Sequence, residues 1–330
     1  MTLKTLSIDP LLPPAEAAGL RSRIRAAGPY GLYVSAPIEE GLGAGLTRRH
    51  DAALAWFERQ LAAGSLEPLD VQAARSNLFR GTWIERGEAR LEGAAEVAAH
   101  PELASAAQEL MGAALVEPYM LYANLLLPGQ ELPVHHDTPE FVGLDKTNTP
   151  EWFLVVCGHS GLFEDRRIRV ASAVIFLAGD GDLLTFPDGI DAPPVPVSPR
   201  PNTAIVLDAD ELVHGVVRVG GPSQAAPPVE IGMELGWSEE GAWILRRDTE
   251  EVARYAPGEV RLSMQWKAWV FADAAERDRV RSGVAPLTLP GATRALTEEL
   301  ARRGLLPEEE LDGTDLALLL MRSFIDLPRG

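Results

Sequence analysis

Hydrophobic and polar residues follow two different periods along this chain of 330 residues, and the change of period divides it. Pro14 to Ala27 places Ala, Leu and Ile at helical spacing and stops before Gly28-Pro29; Tyr30 to Val34 reads as a short strand. Ala44 to Leu61 predicts an amphipathic helix with Leu46, His50, Leu54 and Phe57 on one stripe. A turn at Gly64-Ser65 leads to a helical stretch near Asp70 to Asn77, and Ala94 to Leu115 continues in helical pattern, broken around Pro101. From Leu115 the pattern shortens. Tyr119 to Leu127, Trp152 to Cys157, Ile168 to Leu177, Asp182 to Phe186, Ala204 to Leu207 and Val213 to Val219 read as short strands. Turns such as Gly179-Asp180-Gly181-Asp182 and Pro187-Asp188-Gly189 separate them. Gly220 to Pro228 reads as a loop, Val229 to Arg246 as a hairpin turning at Ser238 to Gly241, and Val260 to Phe271 as a strand. Helical pattern then returns at Ala272 to Arg281, Thr293 to Arg303 and Asp315 to Ile325. Regular short strands with Gly and Pro punctuation predict an antiparallel sandwich or barrel, α+β in class, with helices at both ends. No repeat and no low-complexity linker divides the chain. It is expected to be one domain: a mostly helical part over 1–114, a β core over 115–271 with an inserted hairpin at about 222–258, and helices over 272–330.

Composition narrows the partners. With 46% hydrophobic and 24% charged residues the chain has an ordinary globular make-up. A formal net charge of −18, without a cluster of Lys and Arg, repels phosphate backbones, so no nucleic-acid partner is expected. The one cysteine, Cys157, permits no intramolecular disulfide and points to a reducing compartment. Met1 to Pro13 carries Asp9 and prolines where a signal peptide would carry its apolar core, and no run approaches the ~20 apolar residues that span a bilayer. A cytoplasmic protein with no membrane partner is the expectation; oligomeric state is open.

The candidate chemistry lies in Leu132-Pro133-Val134-His135-His136-Asp137 and the distant Leu212-Val213-His214-Gly215. In an extended segment, side chains two apart share a face, so His135 and Asp137 converge. His136 then points away and sits beside the site or at the surface. His214, next to the apolar run Thr203 to Leu207, is the candidate third ligand. Two imidazoles and one carboxylate with open positions opposite suit ferrous iron. Further on, Arg261 and Ser263 again share a face, where a guanidinium and a hydroxyl can hold a carboxylate.

The order H-x-D, distal His, then R-x-S resembles the Fe(II)/2-oxoglutarate-dependent dioxygenases, over roughly Met120 to Phe271. The resemblance implies a double-stranded β-helix (jelly roll, cupin-like), with Fe(II) on His135, Asp137 and His214 and the far carboxylate of 2-oxoglutarate on Arg261 and Ser263. It implies an oxygenase that converts 2-oxoglutarate and O2 to succinate and CO2 while hydroxylating or desaturating a small organic substrate. Because Asp137 is present, halogenation is disfavoured. One departure stands out: the gap from His214 to Arg261 is 261 − 214 = 47 positions, longer than usual, which the inserted hairpin must absorb. Arg218, two positions beyond Val216, is the rival anchor. Tyr122 and Asn124 share a face of the preceding strand and are candidates to bond the co-substrate carboxylates. Phe141, Trp152, His159, Phe163 and Arg167 are candidate substrate-pocket residues, and Cys157 an inert buried thiol. The rivals are a cupin-like hydrolase or isomerase, in which the same ligands activate water, and a jelly-roll binding protein without catalysis. The first leaves Arg261-Leu262-Ser263 without a purpose.

Overall fold

The computed structural model describes residues 5–33, 64, 69–189 and 192–325. The helix expected over Ala44 to Leu61 lies outside the described residues. The chain opens with β1 (Thr5–Ile8), α1 (Pro14–Ala27), β2 (Tyr30–Leu32), α2 (Leu69–Ser76), β3 (Phe79–Glu85), β4 (Glu88–Ala89), α3 (Ala94–Ala98) and α4 (Pro101–Met111). The β-rich middle holds β5 (Leu115–Leu126), β6 (Leu132–His135), β7 (Glu140–Phe141), α5 (Glu151–Ser160), β8 (Arg167–Ile168), β9 (Val170–Ala178), β10 (Leu183–Phe186), β11 (Val195–Val197), β12 (Thr203–Leu207) and β13 (Val213–Val216). Then come β14 (Met233–Trp237), β15 (Trp243–Arg247), β16 (Glu250–Tyr255), β17 (Arg261–Phe271), α6 (Ala274–Asp278), α7 (Leu289–Arg302) and α8 (Gly313–Phe324).

Two antiparallel sheets carry the site. The large one runs β1-β12-β9-β17-β5-β3-β2-β14-β15-β16, and the small one β11-β10-β13-β6. Following the chain, β5 lies in the large sheet, β6 in the small, β9 in the large, β10 and β11 in the small, β12 in the large, β13 in the small and β17 in the large. That alternation winds the strands into a double-stranded β-helix, a jelly roll with helices at both ends. The insertion between β13 and β17 is the expected hairpin, β14 and β15, extended by β16 into a three-stranded meander. It joins the large sheet through β2, not through β17, so its length leaves the core pairing of β17 intact.

Side chains along β17 separate by face. Leu262, Met264, Trp266, Ala268 and Val270 point into the main hydrophobic core, under α1, α3 and α4. Arg261, Ser263, Gln265 and Lys267 take the opposite face, between the sheets. There Val174, Phe176 and Ile205 of the large sheet meet Leu183 and Val216 of the small one.

The stretch from Trp152 to Cys157 departs from expectation: it is helix α5, not a strand. A short apolar run cannot be assigned by periodicity when it is buried on every side, and Phe153 through Cys157 are all buried. Phe153, Leu154, Val156 and Cys157 pack with Leu296 and Leu300 of α7 and Leu320, Met321 and Phe324 of α8 in a second core. Like the short strands β1, β4, β7 and β11, strand β3 is without a counterpart in the sequence pattern. Its Gly81 leaves room for the Tyr30 ring, which would lie 2.3 Å from an added Cβ.

Candidate metal centre

Strands β6 and β13 pair so that His135 and His214 face each other across the ladder. Their ring centroids are 4.4 Å apart. Gly215 allows this approach: a Cβ there would stand 2.9 Å from the Leu132 carbonyl oxygen. Each imidazole is fixed the same way, by Nδ1 against a carbonyl two residues back: His135 to Pro133 O at 2.6 Å and His214 to Leu212 O at 2.8 Å. A proton on Nδ1, donated to that carbonyl, leaves the Nε2 lone pair to face the site, the arrangement metal-binding histidines adopt.

Asp137 follows the end of β6, and its backbone N–H donates to Ala209 O at 2.7 Å. Its Oδ1 lies 3.8 Å from His135 Nε2 and 3.9 Å from His214 Nε2. All three side chains are buried, and their ligand atoms lie within 4.8 Å of one another. Oδ2 is held from the other side, accepting from Lys267 Nζ at 2.8 Å and Ser172 Oγ at 3.1 Å. Burial alone would raise the Asp137 pKa; the Lys267 ammonium, with His135 and His214, outweighs it and holds the carboxyl well below its usual range. Burial likewise works against the charge on Lys267, and Asp137 overcomes it, raising the ammonium above its ordinary value.

The expected anion anchor sits down the same face of β17. Arg261 is 1% exposed. Its Nε donates to Gly181 O at 3.1 Å and its Nη1 to Ser263 Oγ at 3.0 Å. Gly179, at φ +81° and with Arg261 Cα 2.5 Å from where its Cβ would be, shapes the β9–β10 turn that presents that carbonyl. Nη2 is buried with no hydrogen-bond partner among the described residues. Burial pushes the guanidinium down to about 10, against the distant pull of Asp180 and Asp182. This is a buried cation with an open donor, and such a group gains most from an anion.

Between the His-Asp-His cluster and Arg261, the cleft is lined by Tyr122, Asn124, Gln265, Leu132 and Val174. Asn124 accepts from Arg80 Nε at 2.9 Å, and the Arg80 guanidinium lies over the rings of Tyr33 at 3.7 Å and Tyr122 at 4.0 Å. Arg218 stands elsewhere. Strand β13 ends at Val216, so the alternation that would turn Arg218 inward is lost. Its Nη1 donates to Pro222 O at 3.0 Å and its Nε lies 3.5 Å from Glu131.

The pocket candidates scatter. Phe141 and Phe163 belong to the second core, with Trp152 packed against it. His159 lies against His136, ring centroids 5.1 Å apart, and burial beside His159 pushes the His136 imidazole down to about 3. Arg167 pairs with Glu211 at 2.9 Å. Cys157 is buried, its thiol pushed up to about 12.

No family model matches the chain, and no curated protein matches it. Solved structures do. An oxidoreductase of the 2OG-Fe(II) oxygenase family from Burkholderia pseudomallei matches at 12% identity and TM-score 0.41, over 81% of this chain and 85% of that one. The non-heme alpha ketoglutarate dependent carbocyclase SnoK from nogalamycin biosynthesis matches at 12% identity and TM-score 0.40, over 86% and 87%. HygX from Streptomyces hygroscopicus, with nickel, 2-oxoglutarate and hygromycin B bound, matches at 11% identity and TM-score 0.38, over 84% and 90%. Likeness at this level leaves the chemistry to the residues of this chain.

Several residues of the site had no place in the sequence reading. Lys267 carried a signal, since it continues the two-residue spacing of Arg261, Ser263 and Gln265. Arg80 had none, because β3 itself was not foreseen. The Asp210 carboxylate, just before β13, is buried with neither oxygen hydrogen-bonded among the described residues, and Arg167 Nη2 lies 3.8 Å from it. Burial raises it to about 8, against the pull of Lys267 and Arg167. A loop acid of this kind leaves no periodic trace.

Proposed function

We propose that the protein is an Fe(II)/2-oxoglutarate-dependent oxygenase that hydroxylates or desaturates a small organic substrate, such as an amino-acid derivative or natural-product intermediate. His135, Asp137 and His214 would hold the iron. Arg261 and Ser263 would hold the far carboxylate of 2-oxoglutarate, with Tyr122 and Asn124 along its length. The observation that carries the reading is the pairing of a buried His-Asp-His triangle with a buried guanidinium whose Nη2 has no hydrogen-bond partner among the described residues.

The donor set fits the metal: two neutral imidazoles oriented through Nδ1, and a carboxylate kept ionised by Lys267. Bound there, iron supplies the oxidising chemistry, with 2-oxoglutarate and O2 converted to succinate and CO2. The chain's part is binding, orientation and exclusion of water. Arg261 offers its open donor to an anion removed from solvent, and the apolar walls Val174, Leu183 and Val216 keep the cleft dry. A water-activating hydrolase on the same ligands has no use for the buried Arg261.

No helix among the described residues is long and apolar enough to cross a membrane. We infer a reducing, cytoplasmic location from the protein's single buried thiol, and one catalytic domain from the lack of a low-complexity linker dividing the sequence.

The test is anaerobic addition of Fe(II) and 2-oxoglutarate, expecting a weak visible charge-transfer band that His214→Ala abolishes. Succinate release on admitting air is expected next. Absence of both the band and succinate in the native protein would sink the reading.

A further inference from the structure

Lys267 is 1% exposed and reaches no solvent. Its Nζ is 2.8 Å from Asp137 Oδ2, the oxygen turned away from both histidines. Ser172 Oγ donates to the same oxygen, from β9, the strand next to β17. Oδ1 alone faces the two Nε2 atoms. A lysine beside a metal-binding carboxylate is expensive on electrostatic grounds, because it competes with the cation for the same charge and must itself be desolvated. The groups whose charge bears on it are Asp137, in contact, then Tyr122, and Asp210, which makes no hydrogen bond to it.

Two consequences follow from that placement. A six-coordinate metal with two imidazoles and one carboxylate oxygen keeps three positions open. A carboxylate free to rotate onto the metal with both oxygens would close one of them. The ammonium also leaves the centre more positive by one charge than the ligands alone would make it. A dianion entering beside it meets that charge at one end and Arg261 at the other.

Resting on the oxygenase reading above, we propose that Lys267 is a positioning residue. It holds Oδ2 of Asp137 so that the carboxylate presents only Oδ1 to the metal, and it keeps at the metal the positive charge that receives the 2-oxoacid end of the co-substrate. Lys267 acts through Asp137 and touches neither metal nor substrate. Ser172 assists as the neutral donor.

The test uses the full chain loaded with cobalt(II), without oxygen, and measures cobalt affinity and 2-oxoglutarate affinity separately by calorimetry. Lys267→Met is expected to keep or tighten cobalt binding, since a competing cation is gone, and to weaken 2-oxoglutarate binding about tenfold or more, the order expected when a cation facing a dianion is lost. A merely structural lysine would lower both affinities together, and that result, or an unchanged 2-oxoglutarate affinity, overturns the proposal. If Lys267→Met does not fold, Ser172→Ala decides: a loss of about threefold for 2-oxoglutarate at kept cobalt affinity supports it, and no loss overturns it. Should the native cobalt protein bind no 2-oxoglutarate at all, it is the oxygenase reading that fails first.

Discussion

Lys267 and Arg261 are two buried cations six positions apart on one face of one strand, and the fold treats them differently. Lys267 is matched inside the protein, ammonium to carboxylate at 2.8 Å. Arg261 lies over the Phe176 ring at 5.3 Å, but its hydrogen bonds go only to a carbonyl and a hydroxyl, and its Nη2 has no hydrogen-bond partner among the described residues. Desolvation penalises both. The matched one keeps its proton more firmly than a free lysine, while the unmatched one gives its up more readily than a free arginine. A buried charge answered from within belongs to the architecture of the site. One left unanswered marks where a ligand's opposite charge is due.

The comparison makes opposite predictions for removal of the two charges. Lys267→Met leaves Asp137 buried without its counter-ion, and in the metal-free protein it should destabilise the fold by about 3–5 kcal/mol. Divalent metal should recover much of that loss, so the unfolding midpoint in denaturant, taken with and without cobalt, is the measurement. A loss that metal does not recover would mean Asp137 is not answered by the metal.

Arg261→Met should do the reverse. Without ligand the variant loses an unmatched charge, so its stability is expected to stay level or rise. Its 2-oxoglutarate affinity should fall by about 10- to 100-fold, the range of a lost charged hydrogen bond of about 1.5–3 kcal/mol. Pyruvate, which lacks the far carboxylate, sharpens the point: its affinity should change little. Equal losses for both oxoacids would place Arg261 outside the far-carboxylate role.

Asp210 is the mirror case, a buried acid poorly answered, and pH reads it. Its folded pKa, about 8, lies above the ordinary 3.8. A raised acid contributes stability that is present below the unfolded pKa and is lost as pH rises through the folded one. Its contribution should therefore decline between about pH 4 and pH 8. Asp210→Asn should flatten that decline and stabilise the protein at pH 8 by about 1–3 kcal/mol. Urea midpoints at pH 5 and pH 8 test it; parallel shifts at both would show that Asp210 does not titrate in this window.

These contrasts also explain what could be read in advance. The His-Asp-His cluster was legible because its residue types are scarce and their spacing matches an extended backbone: His135 and His214 face one another, and Asp137 turns its carboxylate between them. Arg261 and Ser263 were legible by the same two-residue rule, which also holds Lys267. What a pattern cannot say is which buried charge has a partner, because Asp137 lies 130 positions from Lys267. Strand β3 was hidden for a different reason. Phe79-Arg80-Gly81-Thr82 places an arginine and a glycine where an ordinary strand would carry apolar residues. Both belong there only because Tyr30 packs over Gly81 and Arg80 lies between two tyrosine rings. Helix α5 was misread because Trp152 to Cys157, wrapped by α7 and α8, is apolar all round, and such a run has no periodicity to measure.

Arg218 gives the smallest expected effect and closes the comparison from outside. It is a third arginine near the cleft by sequence, 24% exposed at its side chain and 3.5 Å from Glu131. Its other contacts are carbonyls of the loop after β13. A partly exposed pair of this kind is worth about 0–1 kcal/mol. Arg218→Ala should therefore move the unfolding midpoint little and leave 2-oxoglutarate affinity within about twofold of the native value, a twofold change being well under 1 kcal/mol. If the affinity instead fell as far as in Arg261→Met, the unanswered charge on β17 would not be the anchor. The rule drawn from Lys267 and Arg261, that the cation without an internal partner is the one that awaits a ligand, would then fail in this protein.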